Sequence, residues 1–189
     1  MNTVVKRILT SIGISIVIYF GLASALILAG VPRQQPENDS DENLSFEELY
    51  IDYEAIPDLE NYTARDGVEL DYRYYPAGST DRVLILLHGS GWHSQYFLRL
   101  GDYISSEDTA HVYTPDLRGH GETPVRRGDV DYIDQYEDDL ADLIEVIRKD
   151  HSNATIIVGG HSSGGGLALR FAGSQYGDTA DAYVLLAPF

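Results

Sequence analysis

The run Gly159-Gly160-His161-Ser162-Ser163-Gly164-Gly165-Gly166 carries the residue types of nucleophilic acyl chemistry. A serine hydroxyl becomes an acyl acceptor when a sharp strand-to-helix turn lifts it above a sheet edge, near a base and two backbone donors. That turn has the form G-x-S-x-G, because the residues two before and two after the serine pack on each other and must be small. Centred on Ser162, the flanks are Gly160 and Gly164; centred on Ser163, one flank is His161, which is too large. Ser162 is therefore the candidate nucleophile. Ser163 opens the following helix, and its backbone N–H can meet a developing oxyanion. The competing reading is a glycine-rich turn that binds phosphate or only packs tightly. A phosphate loop asks for a lysine after the glycines, where Leu167 stands, and G-x-G-x-x-G spacing is missing from this run.

Other polar residues were weighed as partners for Ser162. Asp116, Arg118 and His120 lie close enough in sequence to suggest a local triad, and bracing of their own turn is the alternative. Trp92 and His93 suit either a substrate entrance or plain loop packing. His111 begins a strand and His151 ends a helix, so neither reads as a base. His161 occupies the x of the elbow and is expected to point away from the nucleophile's face. The six histidines form no H-x-H or H-x-x-x-H pair, and there is no cysteine. No metal site, disulfide, thiolate chemistry or cofactor is expected.

The positioning elements follow from the hydrophobic pattern. Residues 62–76 alternate around Asp66-Gly67, a pair suited to a tight hairpin turn. "RVLILLH" (82–88) and "ATIIVGG" (154–160) are continuous apolar runs, as in strands buried on both faces. "HVYTPD" (111–116) and "AYVLLAP" (182–188) read as further strands. Tyr96, Phe97, Leu100, Tyr103 and Ile104 recur at helical spacing. Ile133, Tyr136, Leu140, Leu143, Ile144 and Ile147 mark one face of a longer helix. Its first turns carry Asp131, Asp134, Glu137, Asp138 and Asp139, and its end carries Arg148 and Lys149, an order that complements the helix dipole. A hairpin followed by alternating β and α predicts an α/β fold: a doubly wound, mostly parallel sheet with helices on both faces.

Three motifs in order then carry a family resemblance: "HGSGW" (88–92), "DLRGHGET" (116–123) and "GHSSGG" (160–165). With them, residues 62–189 resemble the α/β-hydrolase family, in its lysophospholipase, monoacylglycerol-lipase and serine-aminopeptidase branch. The resemblance implies that Ser162 is the acyl-accepting nucleophile. It implies that the N–H groups of Ser163 and Ser90 form the oxyanion hole, that His88 and Gly89 form the turn placing Ser90, and that Asp116, Arg118 and His120 brace their own turn. It also implies a catalytic acid after the sixth or seventh strand and a histidine after the eighth. Phe189 falls at the end of the sixth strand in this count, so the acid and histidine are expected beyond it, and the chain is read as an incomplete copy of a longer enzyme. A naturally short chain that has lost catalysis, or that borrows its last strands from a partner, is the rival.

The bulk composition frames these readings. With 30 acidic and 13 basic residues the net charge is −17, which argues against nucleic-acid partners. A 43% hydrophobic content is ample for a core. Only Lys6 and Lys149 are lysines, and the acidic surface reads as a solubility device or an adaptation to salt. Residues 8–31 hold no charge and are long enough to span a bilayer as a signal-anchor helix. Lys6 and Arg7 precede them, so residues 1–7 are expected in the cytoplasm and the rest outside. Ala23-Ser24-Ala25 also offers a signal-peptidase site, which would give a secreted domain instead. Residues 32–49 read as an acidic linker and 50–189 as the hydrolase domain. The expected function is hydrolysis of a lipid-like or small carboxylic ester through an acyl-Ser162 intermediate. Peptidase, thioesterase or acyltransferase chemistry, or a non-catalytic membrane-anchored binding module, are the alternatives.

Overall fold

A computed structural model describes residues 3–30, 56–122, 124 and 126–189. It falls into two units, Met1–Leu49 and Tyr50–Phe189. The linker expected over residues 32–49, and Thr123 of the second motif, lie outside the described residues.

In the first unit, helix α1 spans Thr3–Gly30. Its stretch Val5–Leu26 has a mean hydropathy of 2.0, with no part of it buried. A helix of this length and composition is long and apolar enough to cross a membrane, a property that a signal sequence shares.

The second unit is built on six strands: β1 (Leu59–Thr63), β2 (Glu69–Tyr75), β3 (Arg82–Leu87), β4 (His111–Pro115), β5 (Thr155–His161) and β6 (Ala182–Leu186). Their order in the sheet is β1-β2-β4-β3-β5-β6. β1 and β2 form the hairpin, turned by Gly67 at φ +87°. β2 runs antiparallel to β4, and the β4-β3-β5-β6 block is parallel. Helix α2 (Leu98–Ser106) follows β3 after a 3-10 turn (Ser94–Phe97), α3 (Gln135–Asp150) follows β4, and α4 (Ser163–Ala172) follows β5.

The period-two geometry of a strand divides the core into two layers. Val83, Ile85 and Leu87 of β3 point into the larger layer, with Leu143, Ile147, Ala168 and Phe171 from α3 and α4. Leu84 and Leu86 point the other way, into a smaller layer with Phe97 and Leu98. Helices thus cover both faces, and the doubly wound, mostly parallel sheet is the observed fold.

Two local expectations need correction. The apolar residues around α2 do not share one buried face: Phe97 is buried, while Tyr96, Leu100 and Tyr103 are exposed. The 3-10 turn before α2 advances by three residues per turn instead of 3.6, so it buries the consecutive pair Phe97-Leu98 and turns Tyr96 outward. On α3, Ile133 precedes the helix and is exposed; Leu140, Leu143, Ile144 and Ile147 do form the buried face. Asp131 and Asp134 also precede the helix, leaving Glu137 and Asp138 in its first turn and Arg148 and Lys149 in its last.

Candidate active site

The crest of the parallel strands gathers the predicted site residues. β5 ends at His161, and the chain reverses at Ser162, with φ +54° and ψ −123°. A non-glycine residue at positive φ holds about 1–3 kcal/mol of strain, so the surrounding structure must enforce it. The enforcement is steric. A Cβ on Gly160 would lie 2.2 Å from the Gly164 carbonyl oxygen, and a Cβ on Gly164 would lie 2.2 Å from that of Leu87. Only glycine allows the three backbone segments to meet. Hydrogen bonds complete the clamp: Ser162 N–H donates to Leu186 O at 3.0 Å, and Ser162 O accepts from Gly166 and Phe189 N–H groups. The expected small flanks of the elbow, Gly160 and Gly164, are therefore in contact as the frame requires.

Ser163 is the first residue of α4. Its N–H has no intrahelical acceptor and carries the positive end of the helix dipole. Across the crest, the turn after β3 brings in Ser90, whose hydroxyl donates to Ser163 Oγ at 2.9 Å. The two residues named as oxyanion donors are thus joined side chain to side chain. A Cβ on Gly89 would meet Ser162 Cβ at 3.4 Å, an ordinary contact, so glycine there keeps the space before Ser162 open without being forced.

His88 holds that turn in place. It is fully buried, its Nδ1 lies 2.8 Å from Gly89 O, and its Nε2 accepts from Leu117 N–H at 3.0 Å. The backbone N–H must donate, so Nε2 is bare and Nδ1 carries the proton. Burial pushes the imidazole down to about 4, with the Gly89 carbonyl opposing. His88 is therefore a neutral connector between the β3 and β4 loops.

Asp116, Arg118 and His120 brace the β4 loop. Asp116 accepts from the Ser94 backbone N–H. Arg118 donates to Asp139 and pairs with Asp66, at 2.6 and 3.0 Å. His120 Nδ1 lies 3.1 Å from Arg118 O, and its ring packs edge-on against His88 at 5.0 Å. His120 also lines a cavity of about 130 Å³ with Gly89, Ser90, Leu117, Tyr136, Ser163 and Leu167. That cavity was not foreseen, because its wall joins four segments far apart in sequence. The histidine between two glycines in residues 119–121 was its one visible sign.

The remaining candidates sit apart. The His161 ring stacks on Tyr96 at 5.4 Å, on the side of the β3 loop, and Trp92 packs on Tyr96 in turn at 5.1 Å. His111 and His151 lie together with ring centroids 4.5 Å apart. His111 begins β4, so they lie at the foot of the sheet, opposite the crest. Among the described residues, no histidine hydrogen-bonds the Ser162 hydroxyl, and no group of three His, Cys, Asp or Glu could hold a metal. The site offers a constrained serine and a positive helix terminus facing an open crest.

Comparison with known proteins places this arrangement. The model of the family described as serine aminopeptidase S33 matches residues 78–189. Protein phosphatase methylesterase 1 from Bos taurus is 32% identical over 125 residues, 65% of this chain and 32% of that protein. Monoglyceride lipase from Mus musculus is 27% identical over 148 residues, 78% of this chain and 44% of that protein. The chain thus spans less than half the length of these relatives. The monoglyceride lipase structure from Saccharomyces cerevisiae superimposes with a TM-score of 0.60 at 24% identity, covering 74% of this chain and 47% of that one. An esterase structure from Thermogutta terrifontis does so with a TM-score of 0.55 at 26% identity, covering 70% and 46%.

Proposed function

The chain belongs to the serine aminopeptidase S33 family, on an α/β-hydrolase fold, and we propose that it is the nucleophile-bearing part of a serine hydrolase acting on carboxylic esters through an acyl-Ser162 intermediate. The observation that carries this is the strained backbone of Ser162, held at φ +54° by glycine contacts at the mouth of the parallel sheet. Strain maintained by so many contacts is the mark of a residue kept in one place for chemistry.

In the proposed reaction Ser162 Oγ attacks the ester carbonyl carbon and gives its proton to a base. The negative carbonyl oxygen is held by the N–H groups of Ser90 and Ser163, each donor contributing about 3–4 kcal/mol to the barrier. The C–O bond to the alcohol breaks, the alcohol takes the proton, and water releases the acid from Ser162. The step needs a base, and among the described residues no histidine hydrogen-bonds the Ser162 hydroxyl. The Ser90–Ser163 hydroxyl contact holds the two donors at a fixed separation.

Lipid-like and small acyl esters fit better than aminopeptides. An aminopeptidase must hold the substrate's ammonium group near the nucleophile, and carboxylates are the side chains that do so. The cavity beside Ser163 is lined by Gly89, Ser90, Leu117, His120, Tyr136 and Leu167, none of them acidic. Helix α1 serves in this proposal as a membrane anchor, with its N-terminus cytoplasmic and the hydrolase domain outside, since Lys6 and Arg7 lie at its leading end against a single Arg33 past its trailing end.

The test is covalent labelling. The native protein in its source membranes is treated with a fluorophosphonate and digested with trypsin, which releases residues 150–170. The adduct is expected on Ser162 and to vanish in Ser162→Ala. A native protein that takes no label would remove the acyl-enzyme reading and leave a binding module, whereas label on Ser163 would overturn the assignment of Ser162.

A further inference from the structure

The exposed side of α2 continues from the site itself. Trp92, Tyr96, Leu100 and Tyr103 are all exposed, at 54%, 37%, 38% and 63%. Leu100 and Tyr103 stand at i and i+3 on α2 and so share one side of that helix, while Tyr96 lies in the 3-10 turn before it. Trp92 packs on Tyr96, and Tyr96 on His161, the residue before the candidate nucleophile. The opposite side is already satisfied, with Phe97, Leu98 and Ser105 buried and Gly101 against the Tyr75 ring. Three amphipathic aromatics and a leucine are therefore exposed on and beside α2, where the core does not use them.

We propose that this patch is a membrane-contact surface, whose partner is the headgroup layer of a zwitterionic bilayer. Tryptophan and tyrosine favour that layer, because each has an apolar body and one polar hydrogen-bonding tip. The charge of the chain selects the lipid class: at −17 it is repelled by an anionic surface. The route of the chain supplies the membrane. Ile56, the first described residue of the domain unit, packs on the same small core layer as Phe97 and Leu98. The first described residue of the domain unit therefore lies in the core layer that α2 covers. The 25 residues between Gly30 and Ile56 can reach at most about 90 Å, which keeps the domain near any bilayer that holds α1. Because the patch ends at His161, contact would open the Ser162 mouth toward lipid-dissolved esters. This inference rests on the anchor reading of α1.

Trp92 is the single tryptophan of the chain, so its fluorescence reports the patch alone. The full chain is reconstituted into phosphatidylcholine vesicles, with and without lipid brominated near the carbonyl end of its acyl chains. The expected result is blue-shifted Trp92 emission, strong quenching by brominated lipid and protection from aqueous iodide. The double variant Leu100→Ser with Tyr103→Ser, both at exposed positions, should lose most of the lipid quenching and regain iodide quenching. If the chain floats with vesicles while Trp92 stays open to iodide, the patch proposal falls and the anchor stands. If the chain does not float, both fall. A blue-shifted Trp92 that neither bromine nor iodide reaches indicates a protein cover, such as a second copy, and also overturns the proposal.

Discussion

The crest and the foot of the parallel sheet each hold a histidine pair, and the two are built differently. At the crest, His88 and His120 lie 5.0 Å apart among backbone segments that touch one another directly. At the foot, His111 and His151 lie 4.5 Å apart within a cluster of aromatic side chains, Tyr74 and Tyr113. The crest is held by main-chain contacts with no room for a methyl group. The foot is held by rings that can tilt and slide. Rigid placement of a reacting group needs the first kind of construction, because a displacement of about 1 Å at a reacting atom costs about a hundredfold in rate.

The largest expected effect breaks the crest. In Gly164→Ala the new methyl lies 2.2 Å from Leu87 O and 2.5 Å from His88 O, both backbone atoms. Either the elbow or strand β3 must move, and we expect loss of more than about 4 kcal/mol, the range of exceptional substitutions. Gly78→Ala is the comparison near the foot: the nearest atoms to its methyl belong to the Asp108 carboxylate, an exposed side chain whose displacement costs the hydrogen bond it accepts from Gly78 N–H and moves no backbone segment. Thermal melts of the two variants should differ widely. Equal melting temperatures would show that the crest is not as tight as its backbone contacts imply.

Next in size is the buried ion pair that supports the β4 loop beneath the crest. Arg118 is nine-tenths buried and reaches both Asp66 and Asp139. Removing the cation in Arg118→Leu leaves Asp139 buried without its partner, at a cost of about 3–5 kcal/mol. Burial already pushes the Asp139 carboxyl up despite Arg118, so without the cation the variant's Asp139 should take up a proton at a higher pH than in the unaltered chain. A melt that improves as the pH falls would mark that protonation; a melt insensitive to pH would show that solvent reaches Asp139.

His88 tests the crest by titration. Its folded pKa, about 4, lies below the unfolded value of about 6.5, so the folded state binds fewer protons. Stability is then full above about pH 6.5 and is lost as the pH falls toward 4, by about 3 kcal/mol in all. Protonation would also place a hydrogen on Nε2, opposite the Leu117 N–H that it accepts from. His88→Gln keeps an acceptor for Leu117 but cannot titrate. Urea unfolding should show the variant weaker at pH 7, with a flatter profile between pH 6.5 and 4. Parallel profiles would assign the acid lability to carboxylates instead.

What could be read from the sequence divides along the same line. The crest was legible because its constraints are local: Gly160 and Gly164 flank Ser162 by two residues, and Asp66-Gly67 turns its hairpin within one step. The mostly parallel sheet with helices on both faces followed from the alternating β and α segments. The missed features join distant segments. His88 reads as half of a His-Gly turn, and nothing in residues 82–92 shows that Leu117 donates to it. Asp139 reads as a helix-dipole charge, while its partner Arg118 sits 21 residues earlier. The split of the α2 face was invisible because a 3-10 turn shifts the helical phase without leaving a compositional trace.

The smallest expected effect lies at the foot. His111 Nδ1 accepts from the Ala77 N–H at 3.1 Å and lies 2.8 Å from the Tyr74 hydroxyl. The amide proton fixes that nitrogen as an acceptor. His151 packs on this ring, and burial, then the neighbouring His111, lower its pKa. The sign is the same as at His88: stability present above about pH 6.5 is lost as the pH falls. His151 is only partly buried, however, and the Asp150 carboxylate opposes the shift. His151→Asn should therefore lower stability by less than about 1 kcal/mol at pH 7 and alter the acid limb far less than His88→Gln. If it instead removed most of the acid lability, the foot and not the crest would be the acid-sensitive end of the sheet.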